Sequence, residues 1–321
     1  MASKISWFAS ETGRKFAFVG SFTVGFGFFL GRYLPNTFFL ENYQNVMQMY
    51  RMGTGVPVPQ KVTKRFEQVL EDMKVPEGEK SSFKIFTIVG FDMFHAGSTL
   101  AKTGCIIGIP RNYMYDSSFD IEKSEILVNQ HLVPWTTPEG KAFEEAVVLS
   151  PAAQKYAMAC QVSLCQSPFV FLLGLYPMLT TFFAYATASS LNTRFQLHSR
   201  RFYIRGTMYS IIGLFAFGLW ALANDFTTSR FEMKADLDAC AVSPEYARGG
   251  EEFYKKILAR NIALRQMMGP EGEKVFTAYG NDQVFFRQKH LPITVRKSLV
   301  EKKVREAMSK TENGNVESVA S

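Results

Sequence analysis

Apolar residues along this chain are gathered into blocks rather than spread evenly. From Tyr156 to Thr193 no residue is charged, and none is charged from Gly206 to Asn224. A helix needs roughly 20 mostly apolar residues to cross a hydrocarbon layer of about 30 Å. Residues 169–191 and 206–224 meet that length, so the pattern predicts a hairpin of two spanning helices joined by a link at 194–205. A third block, FAFVGSFTVGFGFFLGRYL at 16–34, is shorter in its uncharged part. It carries Gly20, Gly25, Gly27 and Gly31, which lower helix propensity. It reads as a further span, with Arg32 reaching back to the interface. No A-x-A-like cleavage site follows it, which disfavours a secretory signal, and Glu11 counts against a cleaved mitochondrial presequence.

Outside the blocks the periodicity changes. Val62, Phe66, Val69, Leu70 and Met73 recur at helical spacing between Pro59 and Pro76. FKIFTIVGF at 83–91 and TGCIIGIP at 103–110 are β-branched and aromatic, and read as paired strands. Thr137 and Ser150 each stand before a proline, so both are expected to cap helices. The second of these helices is expected to break or bend near Pro168, and Pro177 to kink the span that follows. After the hairpin, helix is expected to continue through residues 225–242. Ser243–Pro244 opens another helix, with Phe253, Ile257, Asn261, Leu264 and Met268 as one stripe and Gly269–Pro270 as its stop. A last amphipathic helix carries Leu299, Val300, Val304 and Met308, and the polar tail at 311–321 is expected to be disordered.

The predicted fold is therefore an α-helical membrane protein, a helical hairpin plus an N-terminal span, with an α+β soluble body. Its parts are an N-terminal segment (1–34), a soluble α+β segment (35–167), the hairpin (168–224), a soluble helical segment (225–310) and the tail (311–321). The body forms from the two segments that flank the hairpin, because short amphipathic helices are marginal alone. In the spans, Gly27 and Gly31 on the first block and Ala184 and Ala188 on the second are small residues suited to close helix packing.

A mean hydropathy of −0.04 conceals these blocks, and the net charge of +7 is equally uneven. Residues 1–34 carry +3, 35–167 carry −2, 194–205 carry +4 and 225–321 carry +2. The basic excess thus sits beside the apolar helices, which argues against a nucleic-acid surface and fits the positive-inside bias of short loops. Arg194, Arg200, Arg201 and Arg205 should hold the link on the side from which the chain inserts. Lys4, Arg14 and Lys15 put the N-terminus on that side too. Both large polar segments then emerge together on the other side.

Candidate chemistry is sparse. Cys160 and Cys165 lack nearby histidine, and no two of His95, His131, His198 and His290 stand at metal-ligand spacing. There is no P-loop, no nucleophile elbow and no twin-cysteine framework. No catalytic residue, cofactor or metal is expected, and the spans hold no Asp, Glu, Lys or His of the kind that lines an ion-coupled pathway.

At its C-terminal end the chain reads GGEEFYKKILARNIALRQMMGPEGEKVFTAYGN and then RQKHLPITVRK; KVPEG, GCIIGIP, VPWTTPEGKAF and LSPAAQKYAMA precede them in order. In these stretches it resembles the transmembrane protein 177 family, over about residues 58–298. The resemblance implies a mitochondrial inner-membrane protein, multi-pass and non-enzymatic. Its implied role is in early biogenesis of cytochrome c oxidase subunit II, stabilising that new subunit together with its small membrane assembly chaperone. The soluble body would then face the intermembrane space. Phe253, Tyr254, Arg265 and His290, within the matching stretches, are candidate partner contacts; packing and capping roles compete with that reading. Two other classes compete: a membrane-bound enzyme acting at the lipid surface, and an auxiliary subunit of a channel or transporter.

Overall fold

A computed structural model describes residues 7–319, with side-chain environments for residues 7–309. The described helices are α1 (Glu11–Tyr33), α2 (Leu40–Met47), α3 (Gln60–Asp72), α4 (Glu77–Lys80), α5 (Pro138–Val147), α6 (Pro151–Cys165), α7 (Phe169–Arg194), α8 (Phe202–Val242), α9 (Pro244–Met268), α10 (Pro270–Val275) and α11 (Ile293–Val319). The strands are β1 (Tyr50–Arg51), β2 (Thr54–Gly55), β3 (Phe83–Ile88), β4 (Phe94–Gly97), β5 (Cys105–Pro110), β6 (Leu127–Val128) and β7 (His131–Leu132). Two compact units result: Met1–Phe39 with Pro168–Thr228, and Leu40–Ser167 with Ser229–Ser321.

Among the described residues three helices are long and apolar enough to cross a membrane, α1, α7 and α8, the last continuing beyond the first unit after Thr228. The apolar side chains they leave exposed, such as Phe28, Leu214 and Phe215, are those a hydrocarbon layer covers. Ser10 caps α1 by accepting from the Gly13 amide at 3.1 Å. α1 lies against α7 through Gly25, where an added Cβ would come within 3.2 Å of the Phe182 ring, and through stacked Phe22 and Phe182. This corrects the sequence expectation for Gly27 and Gly31, which meet nothing within 4 Å. At about 100° per residue those two glycines point away from the face that Gly25 presents. On α7 the close approach is Gly174 against Phe29, while Ala184 and Ala188 are only half-buried. A polar clasp joins α7 and α8 near each end: Tyr176 Oη with Thr227 Oγ1 at 2.7 Å, and Asn192 Nδ2 donating to Tyr209 Oη at 2.8 Å.

The second unit is the α+β body, drawn from both segments that flank the hairpin. The two expected strands do pair, but in parallel, with β5 central and β4 antiparallel on its other edge. β4 is only four residues long, too short for alternation to betray it. Val62, Phe66, Val69 and Leu70 of α3 are buried in the same core as Ile107 and Ile109 of β5. Thr137, Ser150 and Ser243 cap α5, α6 and α9 through side-chain oxygens, as their sequence context predicts. α6 ends at Cys165 and α7 starts at Phe169, so the chain breaks beside Pro168.

α9 is packed on several sides, by α5, α6 and α11, so its buried residues do not form the single expected stripe. A Cβ at Gly249 would stand 2.4 Å from the Ala152 carbonyl oxygen, and one at Gly250 2.5 Å from the Tyr156 ring. The consecutive glycines therefore set how closely α9 approaches α6. α11 buries Val300 and Val304 and continues as helix to Val319, where a disordered tail was expected from 311. No proline interrupts residues 311–319 to stop the helix, although Gly314 lowers its propensity. Residues 320–321 lie outside the described part.

Candidate functional site

Several chemistry-bearing side chains of the second unit converge on Asp236. Asp236, near the end of α8, is fully buried and accepts Tyr156 Oη at 3.0 Å, Tyr254 Oη at 2.6 Å, and both Nε and an Nη of Arg296 at 2.8 Å. The Arg296 guanidinium also lies 5.2 Å from the centre of the Tyr254 ring. Burial pushes the Tyr156 and Tyr254 hydroxyls and the Cys160 thiol well above their ordinary pKa values. These groups stay protonated at neutral pH and hold α6, α8, α9 and α11 together. Cys160 approaches Asp236, whereas Cys165 lies beside Cys105, so the two cysteines serve different neighbourhoods. Among the described residues no group of three or more His, Cys, Asp or Glu is placed to hold a metal ion.

The four candidate partner contacts divide. Tyr254 is 3% exposed and Phe253 packs beside it against the core. Both therefore serve packing, a correction that follows from α9 being covered on several faces. Arg265 turns inward, its Nε donating to the Phe276 carbonyl at 3.2 Å and an Nη to Glu273 at 3.0 Å. Only His290 stays largely exposed, with Nδ1 2.6 Å from Glu232. That contact raises the His290 pKa, the Glu232 hydrogen bond being the largest cause.

Arg265 and His290 bracket a loop, residues 276–292, whose base is tightly held. Thr277 N and Gln283 N donate to the Asn281 and Val275 carbonyls, at 2.8 Å and 2.7 Å. Asn281 exchanges two hydrogen bonds with Thr294, and Asn261 Nδ2 donates to the Gly280 carbonyl at 2.8 Å. The Leu291 amide donates to Glu232. Gly280 has φ +80°, and a Cβ there would sit 2.6 Å from the Leu258 carbonyl oxygen, so the turn requires glycine. Asn261 itself is gripped by Arg260, which forms a two-pronged pair with Asp92.

Beyond this base the loop exposes its apolar residues. Phe285 and Phe286 are 103% and 90% exposed, with Tyr279 and Val284 also outward. Arg287 and Lys289 follow directly. An aromatic pair held outward by an ordered base, with two cations following in sequence, is an exposed apolar patch of the kind that partners cover. The sequence signal was slight: two adjacent phenylalanines between NDQV and RQK, in a stretch without periodicity.

In the first unit, the four arginines of the link are all present at the ends of α7 and α8. Arg194, Arg200 and Arg201 are exposed, while Arg205 is half-buried with an Nη 3.3 Å from His198 Nδ1.

A family model described as transmembrane protein 177 matches residues 60–310. The chain is 30% identical over 259 residues to transmembrane protein 177 of Homo sapiens, covering 80% of this chain and 82% of that one. To the Rattus norvegicus protein of the same name it is 30% identical, covering 79% and 81%. To the Danio rerio protein it is 32% identical, covering 75% and 78%. No solved structure matches the chain.

Proposed function

Because the chain belongs to the transmembrane protein 177 family, we propose that it is a non-enzymatic assembly factor of the mitochondrial inner membrane. Its client is newly made cytochrome c oxidase subunit II, which it stabilises beside that subunit's small membrane assembly chaperone. The observation that carries this reading is the Phe285–Phe286 tip, an aromatic pair left uncovered on a base fixed by Asn261, Asn281 and Glu232. A holding factor needs such a surface, since covering one aromatic side chain is worth about 1.5–3 kcal/mol. The engagement of Tyr156, Tyr254 and Arg296 with buried Asp236, inside the body, supports a structural part for these groups. The basic link supplies the sidedness: with its arginines in the matrix, the α+β body faces the intermembrane space, where the client's outer domain folds.

Pulse-chase labelling of organelle translation tests the role. Cells lacking the chain should lose labelled subunit II faster, and the unaltered chain should restore its half-life. The double variant Phe285→Ser, Phe286→Ser should not restore it. An unchanged half-life in cells lacking the chain contradicts the proposal.

A further inference from the structure

The first unit holds a half-open cleft of about 710 Å³ that the aromatic tip does not involve. It is bounded by the start of α1, the end of α7, the basic link and the start of α8, which is the end of the hairpin where spanning helices meet the lipid headgroups. Its size lies within the usual range for a small-molecule site, roughly 300–1,000 Å³. Arg14, His198 and Arg205 line it, and no lining residue is acidic. Among the described residues neither arginine has a carboxylate partner; the nearby Glu11 pairs with Lys15 at 2.7 Å. Burial, then Arg205 and Arg14, lower the His198 pKa, in keeping with three basic groups crowded together.

Arg205 is half-buried and Arg14 exposed, and two guanidinium groups on one cleft match the oxygens of a phosphate. Ala17, Ala188 and Phe202 give the same cleft an apolar wall. With no acidic side chain in the lining, the ammonium of a zwitterionic headgroup has no counter-charge. We propose that this cleft binds the phosphodiester of an anionic phospholipid, with Arg14 and Arg205 on the phosphate.

Native mass spectrometry of the full chain in mild detergent tests this, with phosphatidylglycerol, phosphatidylcholine and inorganic phosphate added separately. Phosphatidylglycerol should stay bound where phosphatidylcholine does not. The double variant Arg14→Gln, Arg205→Gln should lower its retention by about tenfold or more, since two charge-assisted contacts are lost. Arg200→Gln with Arg201→Gln, exposed arginines of the same link, should change retention by no more than about twofold. Equal retention of the two lipids by the unaltered chain overturns the proposal whether or not any variant folds. Equal losses in the two double variants do the same. Displacement of phosphatidylglycerol by millimolar inorganic phosphate overturns the lipid assignment in favour of a free-anion site, and resistance to displacement supports the lipid.

Discussion

Asp236 and Arg296 form a buried pair that ties α8 to α11, and neither stands out in the sequence. Asp236 lies in KADLDACAV and Arg296 in PITVRKSLV, each an ordinary charge on an amphipathic helix until the fold brings them together. The pair is buried, so removing one partner strands the other in low dielectric, at about 3–5 kcal/mol. Asp236→Leu and Arg296→Met should each lower the unfolding midpoint of the body strongly. Combining them should recover much of the loss, because neither charge is then left alone. Denaturant titration of the full chain in detergent reads both effects, and a double variant as unstable as the sum of the singles contradicts the account. The helix caps were legible because their chemistry is local: a hydroxyl followed by proline at Thr137, Ser150 and Ser243 specifies its own partner within one turn. Gly25 was not singled out over Gly27 and Gly31, because only the position of α7 decides which glycine is crowded.

Among the elements, the spans and the longer amphipathic helices announced themselves through length and period, whereas short α2, α4 and α10 and the loop at 276–292 did not. Its shape comes from Asn261, Asn281, Thr294 and Glu232, drawn from three helices as well as the loop itself, and its proposed docking role rests on the exposure of Phe285 and Phe286. The strand β4 was missed for a related reason, since its four residues acquire meaning only as the edge of β5. The loop should also respond to pH. Glu232 raises the His290 pKa, with Arg296 opposing and Asp282 assisting. A raised folded pKa means the contact stabilises fully below the unfolded value of about 6.5 and is lost as pH rises through the folded one. Hydrogen exchange in residues 276–292, corrected for intrinsic rate, should therefore be slower at low pH than above the folded pKa. His290→Ala should remove that difference, and a difference that persists in the variant contradicts the role of this contact.

For the whole molecule the decisive property is sidedness. Four arginines lie within residues 194–205, around the turn from α7 to α8, and in the proposed mitochondrial setting moving each against a matrix-negative potential costs about 2.3 kcal/mol per 100 mV. Replacing Arg194, Arg200, Arg201 and Arg205 by Gln should give mixed orientations. Protease treatment of mitoplasts should then leave part of a C-terminal epitope protected, whereas the unaltered chain loses all of it. Full loss in the variant too shows that these charges do not set the topology. Correct sidedness brings the aromatic tip to the compartment where the proposed client folds, and recovery of that client is the central test. The tagged chain is isolated in mild detergent from mitochondria immediately after pulse-labelling of organelle translation. The account predicts that labelled cytochrome c oxidase subunit II comes with the unaltered chain. It should fall by about an order of magnitude when Phe285 and Phe286 are both Ser, the loss expected of a central aromatic anchor. Isolation of the unaltered chain without labelled subunit II contradicts the account.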